Sequence, residues 1–486
     1  MKIALQMNKP EYFNDASEVI RLFYADCTIF LENGAECDCL FTQNADGDTH
    51  TVRLFKAGIL QHQAVCSMPF PSRDKIVVKR YEKRGMKTAL YQLLKEYTQK
   101  MLPWGSLTGI RPTRLVYEFL HSGVALPQAC EQLLALYDVS AEKTHLLQRI
   151  IGRQQSVVRF GQPNEVDVYI GIPFCNGRCS YCSFPSLDIA RAQDCVAPYI
   201  AALLGEISAV LPFVKDMTIR SIYIGGGTPG AIECVQLAPL LDFIGQNFPP
   251  AQEYTVEIGR PDAVTPQMLS LLKQYGVGRI SINPQTMRNE TLCRVGRNHD
   301  ARSVVDAFIL ARKYGFSAIN MDLIAGLPGE TQADMEYTLA HVLPLRPQNI
   351  TVHTLALKRA STLKAEKDDA SLPQDEVVQQ MVELAYQTIT TAGYEPYYLY
   401  RQKYMAGNLE NVGYTLPHAA CIYNVDIMEE THHNLAFGAG AITKWLNHAQ
   451  NRLERSPNVR NVEQYITRYN EMAQRKIAVI GRMQSM

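Results

Sequence analysis

Three cysteines stand within eight residues in "YIGIPFCNGRCSYCSFPS", Tyr169 to Ser186: Cys175, Cys179 and Cys182, spaced Cys-x3-Cys-x2-Cys. Thiolates this close in sequence can close around one metal centre, and Gly177 gives the loop the freedom to wrap tightly. A structural zinc takes four protein ligands, so it needs one more Cys or His. Cys195 is the nearest, but it falls in helical text beyond "SFPSLDIARAQD". A cubane [4Fe–4S] cluster is ordinarily held by four thiolates. Three leave one iron open to a small molecule, and that opening is functional if the small molecule is a reactant.

A second pattern, "SIYIGGGTPGAI", matches Gly-x-Gly-x-x-Gly at Gly225, Gly227 and Gly230 after a strand, the signature of a dinucleotide turn. Pro229 removes an amide donor where a helix N-terminus would hold pyrophosphate, and the run follows the cysteine loop, both of which speak against a dinucleotide. A tight strand-to-helix turn is the plainer reading. Isolated polar residues then recur at strand ends: Glu257 in "YTVEIG", Gln285 after "SINP" and Asp322 in "NMDLIAGLPGE". A charge in an apolar strand is costly to bury alone, so each needs a partner. A structural hydrogen bond would account for any one of them, whereas three at one mouth suggest a ligand.

Bringing strand ends together is the work of a parallel sheet. From about residue 161, short apolar strands alternate with amphipathic helices: "VDVYIGI", "SIYIG", "YTVEIG", "RISIN", "AINMDLIAG" and "NITVHTL", separated by text such as "PYIAALLGEISAVL" and "SVVDAFILARKYG". This predicts an α/β fold with ligands at the C-terminal strand ends. Six βα units fall short of the eight of a closed barrel, which predicts a partial (β/α)6 barrel with an open mouth. Residues 1–160 read as a separate α+β domain, with strand-like "CTIFLE" and "THTVRLF" and helical "KTALYQLLKEYTQKML" and "EQLLALYDV". Residues 161–375 form the barrel. Residues 376–486 read as a small α+β extension on the substrate side, with the aromatic strand "YEPYYLY" expected to pack with its hydroxyls outward.

The 486 residues carry 48 basic and 48 acidic side chains, so no global field favours nucleic acid or a membrane surface. No signal peptide, membrane span or low-complexity tract is apparent, which predicts a cytoplasmic chain. There, 12 cysteines argue against a disulfide framework, and the nine outside the loop read as small buried hydrophobes.

The three-cysteine loop, with aromatic Tyr181 before its last cysteine, resembles the radical S-adenosylmethionine (SAM) superfamily. The text "YIGGGTP", "EIGRPD", "RISINPQTM", "VGRNH", "MDLIAGLPGET", "NLENVGY" and "FGAGAITK", over residues 161–445, further resembles the oxygen-independent coproporphyrinogen III oxidase (coproporphyrinogen dehydrogenase) family, most nearly its HemZ-type branch. "PWGSLTGIRPTRL", Pro103 to Leu115, resembles an N-terminal element of that branch. Many members have a fourth cysteine two residues after the third; this chain has Phe184. Where members often carry "HIPFC", it has Gly171 before "IPFC".

The resemblance implies a [4Fe–4S] cluster on Cys175, Cys179 and Cys182, with SAM on the open iron as the source of a deoxyadenosyl radical. It implies SAM contacts at Tyr169, Gly226, Gly227, Thr228, Glu257, Gln285, Arg297, Asp322, Ala356 and Ile442. It identifies no protein catalytic residue. The implied reaction is oxidative decarboxylation of coproporphyrinogen III to protoporphyrinogen IX, with a heme chaperone or a heme-utilisation enzyme on the same scaffold as the alternative. A porphyrinogen substrate, a reducing electron donor such as a flavodoxin or ferredoxin, and an electron acceptor follow as partners. Propionates need local cations, for which Arg111, Arg114, Arg401 and Lys403 are the candidates, solvated surface charge being their plainer role.

Overall fold

The computed structural model describes residues 1–24, 27–109, 111–356, 361, 363, 372–402, 405–447 and 452–484. Lys403 lies outside the described residues. The chain divides into two compact units, Met1–Gln148 with Gly407–Leu409, and Arg149–Ala406 with Glu410–Met486. The first division thus falls about a dozen residues before the polar passage "RFGQPNEVD", because the last turns of a helix, Ala141–Gln154, already belong to the second unit.

The first unit carries a five-stranded sheet in the order β2-β1-β3-β4-β5: β1 Lys2–Met7, β2 Thr28–Leu31, β3 Cys39–Asp46, β4 Thr49–Lys56 and β5 Ile59–Ser67. Alternating burial in β3 and β4 shows one face on the core and one toward water. Helices α1 Phe13–Phe23 and α2 Lys75–Thr98 cover the core face, closing it with Leu90, Leu93 and Leu94. Helix α2 starts at Asp74, whose carboxylate accepts the amides of Ile76 and Val77, and stops at Gln99 in the left-handed region, short of the "QKML" expected to continue it. Helices α3 Pro112–His121, α4 Leu126–Tyr137 and α5 Ala141–Gln154 follow.

The second unit is built on one 11-stranded sheet. All six predicted strands are present: β6 Glu165–Ile172, β9 Thr218–Gly226, β10 Glu253–Gly259, β11 Arg279–Ile282, β12 Ala318–Ala325 and β13 Asn349–Thr354, with the short pair β7 Phe174–Cys175 and β8 Leu187–Asp188 after β6. They lie side by side and parallel in chain order. Near-continuous burial along β6 and β9 marks a sheet covered on both faces. The crossovers are α6 Ile189–Val210, α7 Cys234–Asn247, α8 Pro266–Gln274, the pair α9 Asn289–Arg294 and α10 Ala301–Lys313, and α11 Gln332–Val342.

The residues after 376 supply strands to both edges of that sheet. Beyond α12 Asp375–Thr391, β14 Glu395–Tyr400 and β15 Asn411–Thr415 extend it antiparallel past β13. After α13 Ile422–Glu429, β16 His433–Phe437 pairs parallel with β6 as a seventh parallel strand, followed outward by β17 Ile442–Asn447 and β18 Arg452–Pro457. Strand β15 hides in polar text, and Gly413 explains its place: a Cβ there would come within 1.8 Å of the Tyr398 ring, its cross-strand partner. The tyrosines of "YEPYYLY" turn hydroxyls inward rather than outward, Tyr394, just before β14, donating to the Pro347 carbonyl at 2.6 Å and Tyr398 meeting Thr351 Oγ1 at 3.2 Å.

One helix, Ile189–Phe213, has the length and a mean hydropathy of 1.6 sufficient to cross a membrane, by composition alone. In the fold it packs on the closing helix α14 Val462–Gln484, and its Glu206 is fully buried. Glu206 is saturated: Oε1 accepts from Lys476 Nζ at 2.5 Å and Asn458 Nδ2 at 2.9 Å, and Oε2 from the Tyr465 hydroxyl at 2.6 Å and the Gly438 amide at 3.0 Å. Removing one member of a buried pair strands the other. Lys476→Met is expected to destabilise the protein by about 3 kcal/mol or more in urea unfolding, and a second substitution, Glu206→Gln, to recover a large part of the loss.

Candidate functional site

Because seven neighbouring strands run the same way, whatever follows each of them gathers at one rim. Cys175 follows β6 across Pro173, Gly226–Thr228 closes β9, Glu257 stands near the end of β10, Gln285 follows β11, Asp322 lies in β12 and Ala356 follows β13. The turn Gly438–Ala441 follows β16 and reaches the end of β6, where a Cβ on Gly438 would fall 2.5 Å from the Gly171 carbonyl oxygen.

The cysteine loop is held from three sides. The Thr228 hydroxyl lies 2.8 Å from Cys175 Sγ. A buried arginine, Arg260, donates to the backbone carbonyls of Asn176 and Gly177, at 2.5 and 3.3 Å. Arg297 reaches Tyr181 Oη at 3.1 Å, Cys179 Sγ at 3.9 Å and the Asn283 carbonyl. Cys179 is 7% exposed, with Cys175 and Cys182 half-buried on either side of it. Three thiols on one short loop fall one ligand short of a structural zinc site and suit a polynuclear cluster with one open position. The Thr228 hydroxyl and Arg297 guanidinium are the kind of polar neighbours that tune such sulfurs. Phe184 is 60% exposed at the loop's end. Cys195 lies on α6, and Cys293 is exposed rather than a buried hydrophobe.

The glycine turn decides between the ligands its sequence allows. The Gly227 amide donates to the Ile172 carbonyl at 2.8 Å and the Thr228 amide to the Phe174 carbonyl at 2.7 Å. With those donors consumed, the turn has little to offer a pyrophosphate and presents carbonyl oxygens instead, which suit an ammonium. Gly227 must be glycine, since a Cβ would meet the Phe174 carbonyl at 2.4 Å.

Glu257 is half-buried at the rim. It accepts the Tyr223 hydroxyl and, at 3.3 Å, the Gly226 amide. Burial, with the nearby Asp322 charge, pushes its carboxyl up to about 7 against the hydrogen bonds from Tyr223 and Gly226. Burial opposes ionisation of Asp322 too, but His353, 3.7 Å away, and the Asn320 amide at 2.8 Å outweigh it and hold that carboxyl below the usual range. Two carboxylates at one mouth are thus driven in opposite directions. The backbone joins the next pair: the Gln285 amide donates to the Asp322 carbonyl at 2.9 Å, with Gln285 held at φ +68°, and the Asp322 amide reaches Asn283 Oδ1 at 3.3 Å. Gln285 Oε1 is buried with no hydrogen-bond partner among the described residues, an acceptor kept for something other than this chain.

Tyr169 faces Gly226 and stacks with Tyr223 and Tyr423, whose own centroids are 4.5 Å apart. Tyr400, hydrogen-bonded to His353 at 3.2 Å, extends this aromatic wall. Sequence reasoning passed over Arg260, Tyr223, Tyr423 and His353. Arg260, directly after β10, and His353, a lone histidine in apolar "TVHTL", carried a signal; Tyr423, arriving on α13, carried none. No hydrogen bond among the described residues ties Ala356 or Ile442 to the other site residues. Ala356 bridges to Met405, and Ile442 opens β17 at 41% exposure. Arg401 is buried beside β14, and burial pulls its guanidinium down to about 10. Arg111 and Arg114 belong to the first unit.

A buried acid raised in the folded state binds its proton more tightly there than unfolded, so its contribution to stability falls as pH rises from about 4.5 through about 7. Glu257→Gln is therefore expected to gain stability over the parent chain at pH 8, with the gain shrinking toward pH 5, in urea titrations of the cluster-free protein. Arg260→Met is expected to lower the iron bound per chain after anaerobic reconstitution.

Comparison with known proteins agrees with this geometry. Residues 169–342 match the model of the Radical SAM superfamily. The chain is 39% identical, over 79% of its length and 78% of the relative's, to the oxygen-independent coproporphyrinogen-III oxidase-like protein HemZ of Bacillus subtilis. It is 32% identical to the heme chaperone HemW of the same organism, over 47% of this chain and 61% of that one. The coproporphyrinogen III oxidase HemN of Escherichia coli, a radical SAM enzyme, shares the fold with a TM-score of 0.53 at 22% identity, over 69% of this chain and 74% of that one. With the glycine turn, the three-thiol loop and the unsatisfied Gln285 all fitting the cofactors that superfamily binds, a [4Fe–4S] cluster and SAM, the chain belongs to the HemZ-like, oxygen-independent coproporphyrinogen-III oxidase-like family of radical SAM proteins.

Proposed function

We propose that the protein carries out the oxidative decarboxylation of coproporphyrinogen III to protoporphyrinogen IX. The observation that supports this reading is the stack of Tyr169, Tyr223 and Tyr423 at the same strand ends as the cysteine loop, in a chain 39% identical over 79% of its length to the HemZ relative. In this reading Cys175, Cys179 and Cys182 hold the cluster, and Gly226, Gly227, Thr228, Glu257, Gln285, Arg297 and Asp322 seat SAM, with Tyr169 against its adenosyl part. Bound together, these groups supply a primary carbon radical able to take a hydrogen atom from the propionate carbon β to a carboxylate.

The chain's own part is to bind, orient and keep water out. Carbonyls of the glycine turn accept the methionyl ammonium, Asp322 and Glu257 suit the ammonium and ribose hydroxyls, and Arg297 suits the carboxylate. The stacked tyrosines Tyr169, Tyr223 and Tyr423 exclude water from the reacting carbon and offer flat faces to a macrocycle. Loss of CO2 from the propionate, with one further electron leaving to an acceptor, yields the vinyl group. A flavodoxin or ferredoxin is a fitting electron donor.

The anaerobically reconstituted, reduced protein is expected to cleave SAM and form the divinyl product from coproporphyrinogen III, and Cys179→Ala to lose both activities together with bound iron and sulfide. Prolonged exposure to air is expected to abolish turnover. SAM cleavage with no divinyl product, alongside stoichiometric heme binding, would replace this reading with that of a heme chaperone.

A further inference from the structure

The first unit holds a cavity of about 360 Å³ that the barrel chemistry does not use. Its wall is one face of α2, where Arg80, Lys83, Arg84 and Lys87 recur at the i, i+3, i+4, i+7 spacing that normally carries an apolar stripe. Like charges four apart on a helix repel, so this arrangement costs stability. The fold offsets it sparingly. Lys83 and Lys87 share the carboxylate of Asp15, at 2.8 and 3.1 Å, and Arg80 and Arg84 share Glu118, at 3.4 and 3.0 Å. Lys87 also meets Glu18 at 3.3 Å and donates to Thr108 Oγ1 at 2.7 Å.

The opposite wall comes from the element "PWGSLTGIRPTRL". Buried Trp104 and Gly105 pin it, since a Cβ on Gly105 would collide with the Tyr137 carbonyl at 1.9 Å and the Ser106 amide donates to that same oxygen at 2.9 Å. This brings Arg111 and Arg114 to the cavity, at the start of α3. The lining therefore carries six cations against two carboxylates, in a chain whose net charge is zero. Beside them lie Leu107, Leu115 and Tyr137, an apolar surface with an aromatic ring.

We propose that this cavity binds a small phosphorylated molecule of the nucleoside diphosphate class. Guanidinium groups match phosphate oxygens two at a time, and compact multiple charge suits six cations crowded around one volume. The apolar wall takes the base or an equivalent ring. The negative charge brought by the ligand relieves the repulsion along α2, so the free protein carries a strain that binding removes.

The test is isothermal titration of the full-length reconstituted protein with adenosine diphosphate at low ionic strength, with SAM saturating so that adenosine recognition at the barrel is not counted. One-to-one saturable binding is expected, competed by pyrophosphate and weakened about tenfold or more in Arg84→Gln/Lys87→Gln. Because those two side chains pair with Glu118 and Asp15, a second variant, Arg80→Lys/Arg84→Lys, which keeps the charges beside Glu118 but loses the guanidinium forks, is expected to weaken binding with little change in the urea midpoint of unfolding. Lys100→Gln, outside the cavity, is expected to change nothing. The proposal is overturned by an absence of saturable binding of either anion at millimolar concentration. Binding that both double variants leave intact overturns it too, as does adenosine binding as tightly as its diphosphate, or coproporphyrin occupying the cavity in place of the diphosphate.

Discussion

Two backbone hydrogen bonds, from the amides of Gly227 and Thr228 to the carbonyls of Ile172 and Phe174, join the end of β9 to the start of the cysteine loop. The approach is so close that no side chain fits at Gly227. This contact sets the position of Cys175 and brings the Thr228 hydroxyl against the first sulfur. The loop contributes little regular structure of its own, so its shape is imposed by neighbours, with Arg260 and Arg297 completing the clamp from β10 and the α9–α10 connection. A site built this way is organised before any ligand arrives, which is what radical chemistry in a water-excluding chamber requires.

The rim is expensive to maintain. Glu257 and Asp322 are half-buried, Arg260 and Arg297 are buried, and each would be costly alone. The fold compensates with directed partners rather than with solvent: Tyr223 and Gly226 for Glu257, His353 and Asn320 for Asp322, and backbone carbonyls for the two arginines. The same device recurs in Glu206 with Lys476 and in Arg220 with Asp426, which lock outer helices to the sheet. Gln285 Oε1 departs from this pattern, as do Nε of Arg297 and Nε and Nη2 of Arg260: these buried polar atoms have no hydrogen-bond partner among the described residues and are available to a bound molecule.

Much of this was legible in the residues. The six parallel strands announce themselves as short apolar runs, because a strand covered on both faces needs no polar alternation, and the cysteine spacing identifies its chemistry without a fold. Strand β15 was not legible, since "NVGYT" owes its conformation to Tyr398 across the sheet rather than to its own propensity. Nor was the inward turn of the tyrosine hydroxyls, which depends on carbonyl and hydroxyl partners on other strands. Residues after 376, read as an appendage, complete both edges of the barrel sheet because β16 pairs with β6 across more than 250 residues of chain, a pairing local pattern cannot encode.

The sequence by itself determined the spacing of the three loop cysteines, the parallel architecture and the strand ends that gather at one rim. These follow from short-range spacing and from the period of hydrophobicity, both of which survive in one dimension. Only the tertiary structure decided which polar residues meet, that Glu257 is driven toward its neutral form while Asp322 is held ionised, that Arg260 clamps the loop, and that four cations on α2 line one cavity. The physical reason is that burial and electrostatic partnership depend on distance in space, and the partners here come from segments tens to hundreds of residues apart.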